Sequence, residues 1–170
     1  GINIVNGANL TSRTFGPAAH GFIDTIRDKH ATTPILVISP VCCPAHENNP
    51  GPSELGSDGK VGGQEFSRHT WIGELTLCSI REILAELVEV RAKTDPNIFY
   101  LDGLQLFSET DAPTMPDGIH PDAAGYRVIA QNFVQKHPRE VGRRIANAMS
   151  SAIAARRAPA PYSVIQKQLK

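Results

Sequence analysis

The sequence predicts an α/β domain built around a parallel sheet. Two short apolar runs, at residues 34–39 and 97–102, are closed by turn-forming residues and are typical of strands buried on both faces. Segments with apolar residues at helical spacing alternate with them, over about 15–29, 74–93 and 122–135. Strands that alternate with helices in this way indicate parallel pairing through right-handed crossovers.

Composition and charge narrow the classes of function. The 170 residues include 17 Lys+Arg and 17 Asp+Glu, so the formal net charge is zero and favours neither nucleic acid nor an anionic membrane as a partner. No apolar run is long enough to predict a membrane span. The three cysteines show neither metal-ligand spacing nor a disulfide framework, which favours a reducing compartment such as the cytoplasm. No cofactor or metal is predicted.

The first residues predict the end of a strand that passes into a loop, with Asn6-Gly7 as the turn. The chain opens on Gly1 without an initiator methionine, so we expect a fragment or one piece of a processed chain. The helix that follows is expected to begin near Gly16-Pro17, because proline is tolerated in a first helical turn.

A long segment rich in proline and glycine, residues 40–67, separates the first apolar run from the second helix. Segments of this length without regular structure are uncommon in compact domains and often form the walls of binding sites. A disordered insertion is the other interpretation. Both remain open from the sequence.

Residues 1–136 are predicted to form the α/β domain, and residues 137–170 a C-terminal helix and tail. Apolar residues at helical spacing predict that helix, namely Val141, Ile145, Met149 and Ala152. We expect this arm to pack on the domain or on a neighbouring subunit of a homo-oligomer.

The segment 115–127 contains the residue pair with the strongest chemical signal. Asp117 and His120 stand three residues apart, and Pro121 keeps His120 out of the helix that follows. A carboxylate at this spacing can reach one imidazole nitrogen and fix the tautomer, which leaves the other nitrogen free to accept a proton. The pair therefore suits general-base catalysis in a nucleophilic hydrolase.

Two other interpretations of this pair stay open. The first is a plain helix N-terminus with an exposed histidine, in which Asp122 serves as the cap. The second is a metal site, which needs a further ligand that the sequence does not indicate.

Several polar segments are expected to converge at one edge of the sheet. Ligands of open parallel sheets bind outside the carboxyl ends of the strands. Asn3, the loop 42–52 and His120 all follow predicted strands. The expected substrate-binding residues at this edge are Cys43, Pro44, His46 and Ile119.

These segments resemble the SGNH hydrolases, also called GDSL-type esterases and lipases. Gly1-Ile2-Asn3 matches the Gly-x-Asn element of that family, and Asp117-Gly118-Ile119-His120 matches its Asp-x-x-His element. The resemblance runs over roughly residues 1–135. It implies a three-layer α/β/α fold with a flavodoxin-like parallel sheet, whose N-terminal part is absent here.

The resemblance also implies site roles. His120 would be the general base, Asp117 would orient it, and Asn3 within the Gly1–Asn3 element would donate to the oxyanion hole. Two features depart from the family. Ile4 stands where the family has aspartate, and the Gly-Asp-Ser segment with its nucleophilic serine is missing from these residues.

The predicted function is therefore ester hydrolysis by acyl transfer, with a small-molecule ester as substrate. A companion N-terminal segment would supply the serine. Cys42 or Cys43 acting as a thiol nucleophile is a second hypothesis. A catalytically incomplete fragment, or a binding domain without turnover, is the third.

Overall fold

The computed structural model describes residues 1–7, 9–63 and 73–136, together with positions 142, 143 and 147. Contacts along the chain separate two units, Gly1–His137 and Pro138–Lys170. The predicted C-terminal helix, with Val141, Ile145 and Met149, lies almost entirely outside the described residues.

Four α-helices and four strands, with three short 3₁₀ helices, make up the described part of the first unit. The helices are α1 (Ile2–Gly7), α2 (Ser12–Arg27), α3 (Leu77–Ala92) and α4 (Ala123–Lys136). The strands are β1 (Ile35–Ile38), β2 (Glu54–Leu55), β3 (Val61–Gly62) and β4 (Ile98–Leu101). The 3₁₀ helices cover Pro44–His46, Gly103–Gln105 and Glu109–Thr114.

The two predicted strands pair in parallel, as the sequence pattern required. Ile35 lies opposite Ile98, and the register continues to Ile38 opposite Leu101. The intervening helix α3 packs against β4 and against α2. The predictions of an α/β fold and of a parallel sheet are therefore confirmed.

The prediction that β1 is buried on both faces is wrong for the described part of the chain. Ile35 and Val37 pack with Ile23 and Leu87 in a core cluster between the sheet and the helices. Successive side chains of a strand point to opposite faces. On the second face Ile38 is 43% exposed, because no described helix covers it.

The first residues form a helix where the sequence predicted the end of a strand. The amide of Ile4 donates to the carbonyl of Gly1 at 3.0 Å and begins the helical turn. Val5 is 2% exposed and lies in a cluster with Phe15 and Leu77. Burial of this face outweighs the β propensity of the local sequence.

Residues 40–63 are more regular than predicted. Strands β2 and β3 form an antiparallel hairpin. Its turn has Gly59 at φ +75°, a conformation that favours glycine. The amide of Val61 donates to the carbonyl of Asp117 at 3.1 Å, which attaches the hairpin to the segment of the Asp–His pair.

Helices α3 and α4 begin at capping residues. Thr76 accepts a hydrogen bond from the amide of Ser79 at 3.1 Å at the start of α3. Asp122 accepts from the amides of Ala124 and Gly125 at the start of α4.

None of the helices in the described ranges is long and apolar enough to cross a membrane.

The cap of α3 gives a test of the fold. We expect Thr76→Ala to lower the free energy of unfolding by about 1 kcal/mol, because the amide of Ser79 loses its acceptor. Urea denaturation measures this difference. Thr32→Ala, at an exposed threonine without a side-chain hydrogen bond in the described chain, is the control and should change stability by about 0.5 kcal/mol or less. Equal losses in both variants would contradict the role of the cap.

Candidate active site

The loop between Met115 and Pro121 is a tight turn with little conformational freedom. Gly118 has φ +81°, in the left-handed region that favours glycine. Its amide donates to the carbonyl of Met115 at 3.1 Å. A Cβ atom at Gly118 would meet the carbonyl oxygen of Val61 at 3.1 Å, so the hairpin also restricts this position.

Asp117 makes three hydrogen bonds that hold His120 in place. One carboxylate oxygen, Oδ1, accepts from the backbone amides of His120 at 2.8 Å and Ile119 at 3.0 Å. The other, Oδ2, lies 2.7 Å from Nδ1 of His120. Because an ionised carboxylate only accepts, Nδ1 carries the proton in this pair and Nε2 of the neutral ring is left as the acceptor.

The electrostatics of the pair favour an ionised aspartate. The backbone hydrogen bond from His120 is the largest cause that lowers the pKa of Asp117, followed by the imidazole and the amide of Ile119. The side chain of His120 is 73% exposed, and Nε2 has no hydrogen-bond partner among the described residues. This arrangement can take a proton from a group that approaches from outside.

A small pocket of about 220 Å³ lies beside this histidine. Four of the predicted site residues line it, namely Gly1, Cys43, Ile119 and His120. The structure thus brings residues from both ends of the domain sequence to one place. No serine or threonine of the described chain lines this pocket.

The two adjacent cysteines are poor candidates for the nucleophile. Cys42 and Cys43 are only 2% and 3% exposed. Burial, with the nearby Glu47 carboxylate, raises the pKa of Cys42 to about 12, and burial also raises the pKa of Cys43. The thiolate is the reactive form of cysteine, so these thiols are disfavoured as nucleophiles at neutral pH.

Asn3 lies on α1, two residues after the pocket residue Gly1. Its side chain is exposed and makes no hydrogen bond within the described chain. It does not line the pocket itself. The role of Asn3 as an oxyanion donor stays a prediction.

Pro44 and His46 do not line this pocket. Pro44 lines two other cavities of about 470 and 460 Å³, the first of which also includes Gly118. His46 is fully buried. Its Nδ1 lies 3.2 Å from the carbonyl of Asn49 and its Nε2 lies 2.7 Å from Oγ of Ser53, so both ring nitrogens hold the loop together.

An ion pair between the buried Arg81 and the half-buried Glu47, which the sequence did not reveal, supports the pocket wall. Glu47 accepts from the amide of Cys43 at 2.9 Å with one carboxylate oxygen and from Arg81 with the other. The sulfur of Cys43 then lies 3.5 Å from the carbonyl of Gly118. Arg81 lies on an amphipathic helix, where a charge usually faces water, so only a contact 34 residues apart in sequence reveals its role.

A metal site finds no support in the described chain. No group of three or more histidine, cysteine, aspartate or glutamate residues there has the arrangement to hold a metal ion. Within those residues, the Asp117–His120 pair has no further ligand of the kind that a metal interpretation needs.

The fold and the site together define an α/β protein with an oriented histidine at the edge of an apolar pocket. No protein-family model matches the sequence, and no curated protein matches it. Among solved structures, the chain is similar to the salicylyl-acyltransferase SsfX3 from a tetracycline biosynthetic pathway, with a TM-score of 0.51 and 25% identity. The similarity covers 71% of this chain but only 30% of that protein.

The titration of Asp117 tests the geometry of the pair. We expect its carboxyl carbon to titrate by NMR with a midpoint below the ordinary value of 3.8. Since the folded pKa is lowered, the stabilisation is present above the unfolded value and is lost as the pH falls through the folded one. In His120→Ala the midpoint should rise but stay below 3.8, because both amides still donate.

The exposed His30 provides the matched control, and His30→Ala should leave the titration of Asp117 unchanged. A midpoint at or above 3.8 in the unaltered protein would show that these three hydrogen bonds do not form in solution.

Proposed function

We propose that this chain carries the general-base half of an acyl-transfer enzyme of the SGNH type, a serine ester hydrolase. The observation that carries the proposal is the 2.7 Å contact between Asp117 and Nδ1 of His120, beside an apolar pocket with Nε2 unengaged in the described chain. The serine would come from outside the described residues.

The reaction follows from this arrangement. A serine hydroxyl attacks the acyl carbon of the ester, and its proton passes to Nε2 of His120. The tetrahedral intermediate collapses to an acyl-enzyme, and the imidazolium returns the proton to the departing alcohol. Water then attacks the acyl-enzyme with His120 again as base, which releases the carboxylic acid and restores the serine.

Asp117 supports both protonation states of this histidine. It holds the tautomer that leaves Nε2 as acceptor, and it stabilises the imidazolium that forms during each step. General-base catalysis of this kind contributes about 10²–10⁴ in rate. Asn3 as an oxyanion donor would contribute about 10²–10³ more.

The edge and outer face of β1 support the proposed three-layer fold. In a parallel pair, every second residue of a strand turns its backbone groups away from the partner. Ile35 and Ser39 donate their amides to the carbonyls of Asn97 and Leu101. The alternation therefore turns Leu36 and Ile38 of β1 away from β4. A further parallel strand at this edge, with a helix over Ile38, would extend the sheet in the manner of the flavodoxin-like fold.

The similarity to a solved acyltransferase supports acyl transfer as the reaction class. That protein is named for the transfer of a salicylyl group. An acyl-enzyme can pass its acyl group to an alcohol as well as to water, since both are oxygen nucleophiles that His120 could deprotonate. Hydrolysis and transfer to an alcohol therefore share the same site chemistry.

A binding domain without turnover is the second candidate. The absence of serine and threonine from the pocket lining in the described chain favours it. A base without a nucleophile cannot form an acyl-enzyme.

Fluorophosphonate labelling of the full natural protein separates the two candidates. We expect one serine to be labelled, and peptide mapping identifies it. His120→Ala should slow labelling and ester turnover by about 10²–10⁴, since the base is lost. His30→Ala, at the exposed histidine in the turn after α2, should leave both rates unchanged.

Circular dichroism shows whether each variant keeps its secondary structure. If no serine is labelled, or if folded His120→Ala protein reacts at the rate of the unaltered protein, the proposed acyl-transfer function is wrong.

A further inference from the structure

We infer that the pocket beside His120 is the acyl pocket of the proposed enzyme and takes an apolar acyl group the size of an aromatic ring. The inference rests on the proposed function and adds to it a class of substrate. Five segments of the domain line the pocket. The loop contributes Ile119 and His120, the segment after β1 contributes Pro40 and Val41, and α4 contributes Tyr126 and Ile129. The other two are the first residues, with Gly1 and Ile2, and α3, with Leu77.

The pocket lies next to the imidazole of His120, the proposed general base. His120 is itself part of the lining, and Ile119 precedes it in the loop that Asp117 fixes. An acyl group inside the pocket would therefore place its carbonyl carbon near the imidazole. Ile129 and Met115 belong to a core cluster around Phe107, so this part of the wall is formed by packed side chains.

The volume of the pocket limits the acyl group. An apolar cavity of about 150 Å³ holds one benzene molecule. The pocket here measures about 220 Å³, which leaves space for a ring and the carbonyl attached to it. Ordinary ligand sites measure roughly 300–1,000 Å³, so a long fatty chain would extend beyond the pocket that the described residues form.

The chemistry of the lining favours a neutral apolar group. No aspartate, glutamate, lysine or arginine side chain of the described residues lines the pocket. Apart from the imidazole of His120 and the phenol of Tyr126, the side chains that line the pocket are apolar, so a sugar would leave most of its hydroxyl groups without side-chain partners, at a cost in free energy. Tyr126 is 59% exposed and presents a ring for edge or stacked contact with an aromatic acyl group, and Met115 adds a thioether that favours aromatic neighbours.

Ketones that imitate the ester test this assignment without hydrolysis. Acetophenone carries a ring and a carbonyl, whereas 2-decanone carries the same methyl ketone on a long chain. We expect acetophenone, titrated into the isotope-labelled protein, to shift the NMR signals of Ile119, His120 and Ile129 in a saturable way. The affinity for 2-decanone should be at least about tenfold lower, the factor expected for a poorly fitting apolar group.

Two variants locate the binding site. Tyr126→Ala removes an exposed ring with little risk to folding, and it should weaken acetophenone binding roughly five- to tenfold. Ile129→Trp should fill the pocket and abolish binding. Val134→Ala, two turns further along α4 and outside the pocket lining, is the control and should bind as the unaltered protein does.

Three results would overturn the inference. Acetophenone shifts confined to the neighbouring cavity at Lys60 and Glu109 would place the ligand elsewhere. Equal or tighter binding of 2-decanone would contradict the size limit. If Tyr126→Ala bound acetophenone as tightly as the unaltered protein, the ring of Tyr126 would not contact the ligand. If the protein bound acetophenone but took no fluorophosphonate label, the pocket would still bind an apolar aromatic ligand. Only the proposed acyl-transfer function would then be wrong.

Discussion

The candidate site depends on the hydrogen bonds that Asp117 makes within its own turn. Its two oxygens accept hydrogen bonds from the amides of Ile119 and His120 and from Nδ1 of the imidazole. One carboxylate therefore fixes both the backbone of the turn and the ring of His120. Charge-assisted hydrogen bonds of this type are about twice as strong as neutral ones. The exposed imidazole is thereby oriented, although little else contacts it.

Three other segments hold this turn in the domain. The hairpin donates the amide of Val61 to Asp117, and Cys43 places its sulfur against the carbonyl of Gly118. At the far end, Asp122 begins α4 through its capping hydrogen bonds. Cys43 in turn is held by Glu47, whose carboxylate pairs with the buried Arg81. Removal of Glu47 would leave the buried guanidinium of Arg81 without its carboxylate partner.

The sequence predicted the elements in which apolar residues recur at regular spacing. It did not predict the elements whose structure depends on which side chains become buried. Helices α2, α3 and α4 and the parallel pair of β1 and β4 follow from the apolar spacing. The first residues include the β-branched Ile2, Ile4 and Val5, yet they form α1 because Val5 is buried in the core. The exposed face of β1 was not predictable, since a run of four apolar residues does not reveal which neighbours cover them.

The sequence by itself determined the Asp117–His120 pair. The contact between Asp117 and His120 is local, because the two residues stand three positions apart and Pro121 restricts the backbone of His120. Gly118 between them has a positive φ, a conformation that glycine adopts readily. Tertiary structure alone decided the pocket, the burial of His46, the raised pKa values of Cys42 and Cys43, and the Glu47–Arg81 pair. Each depends on segments 30 or more residues apart or on the depth at which a side chain lies, and local sequence patterns carry information on neither.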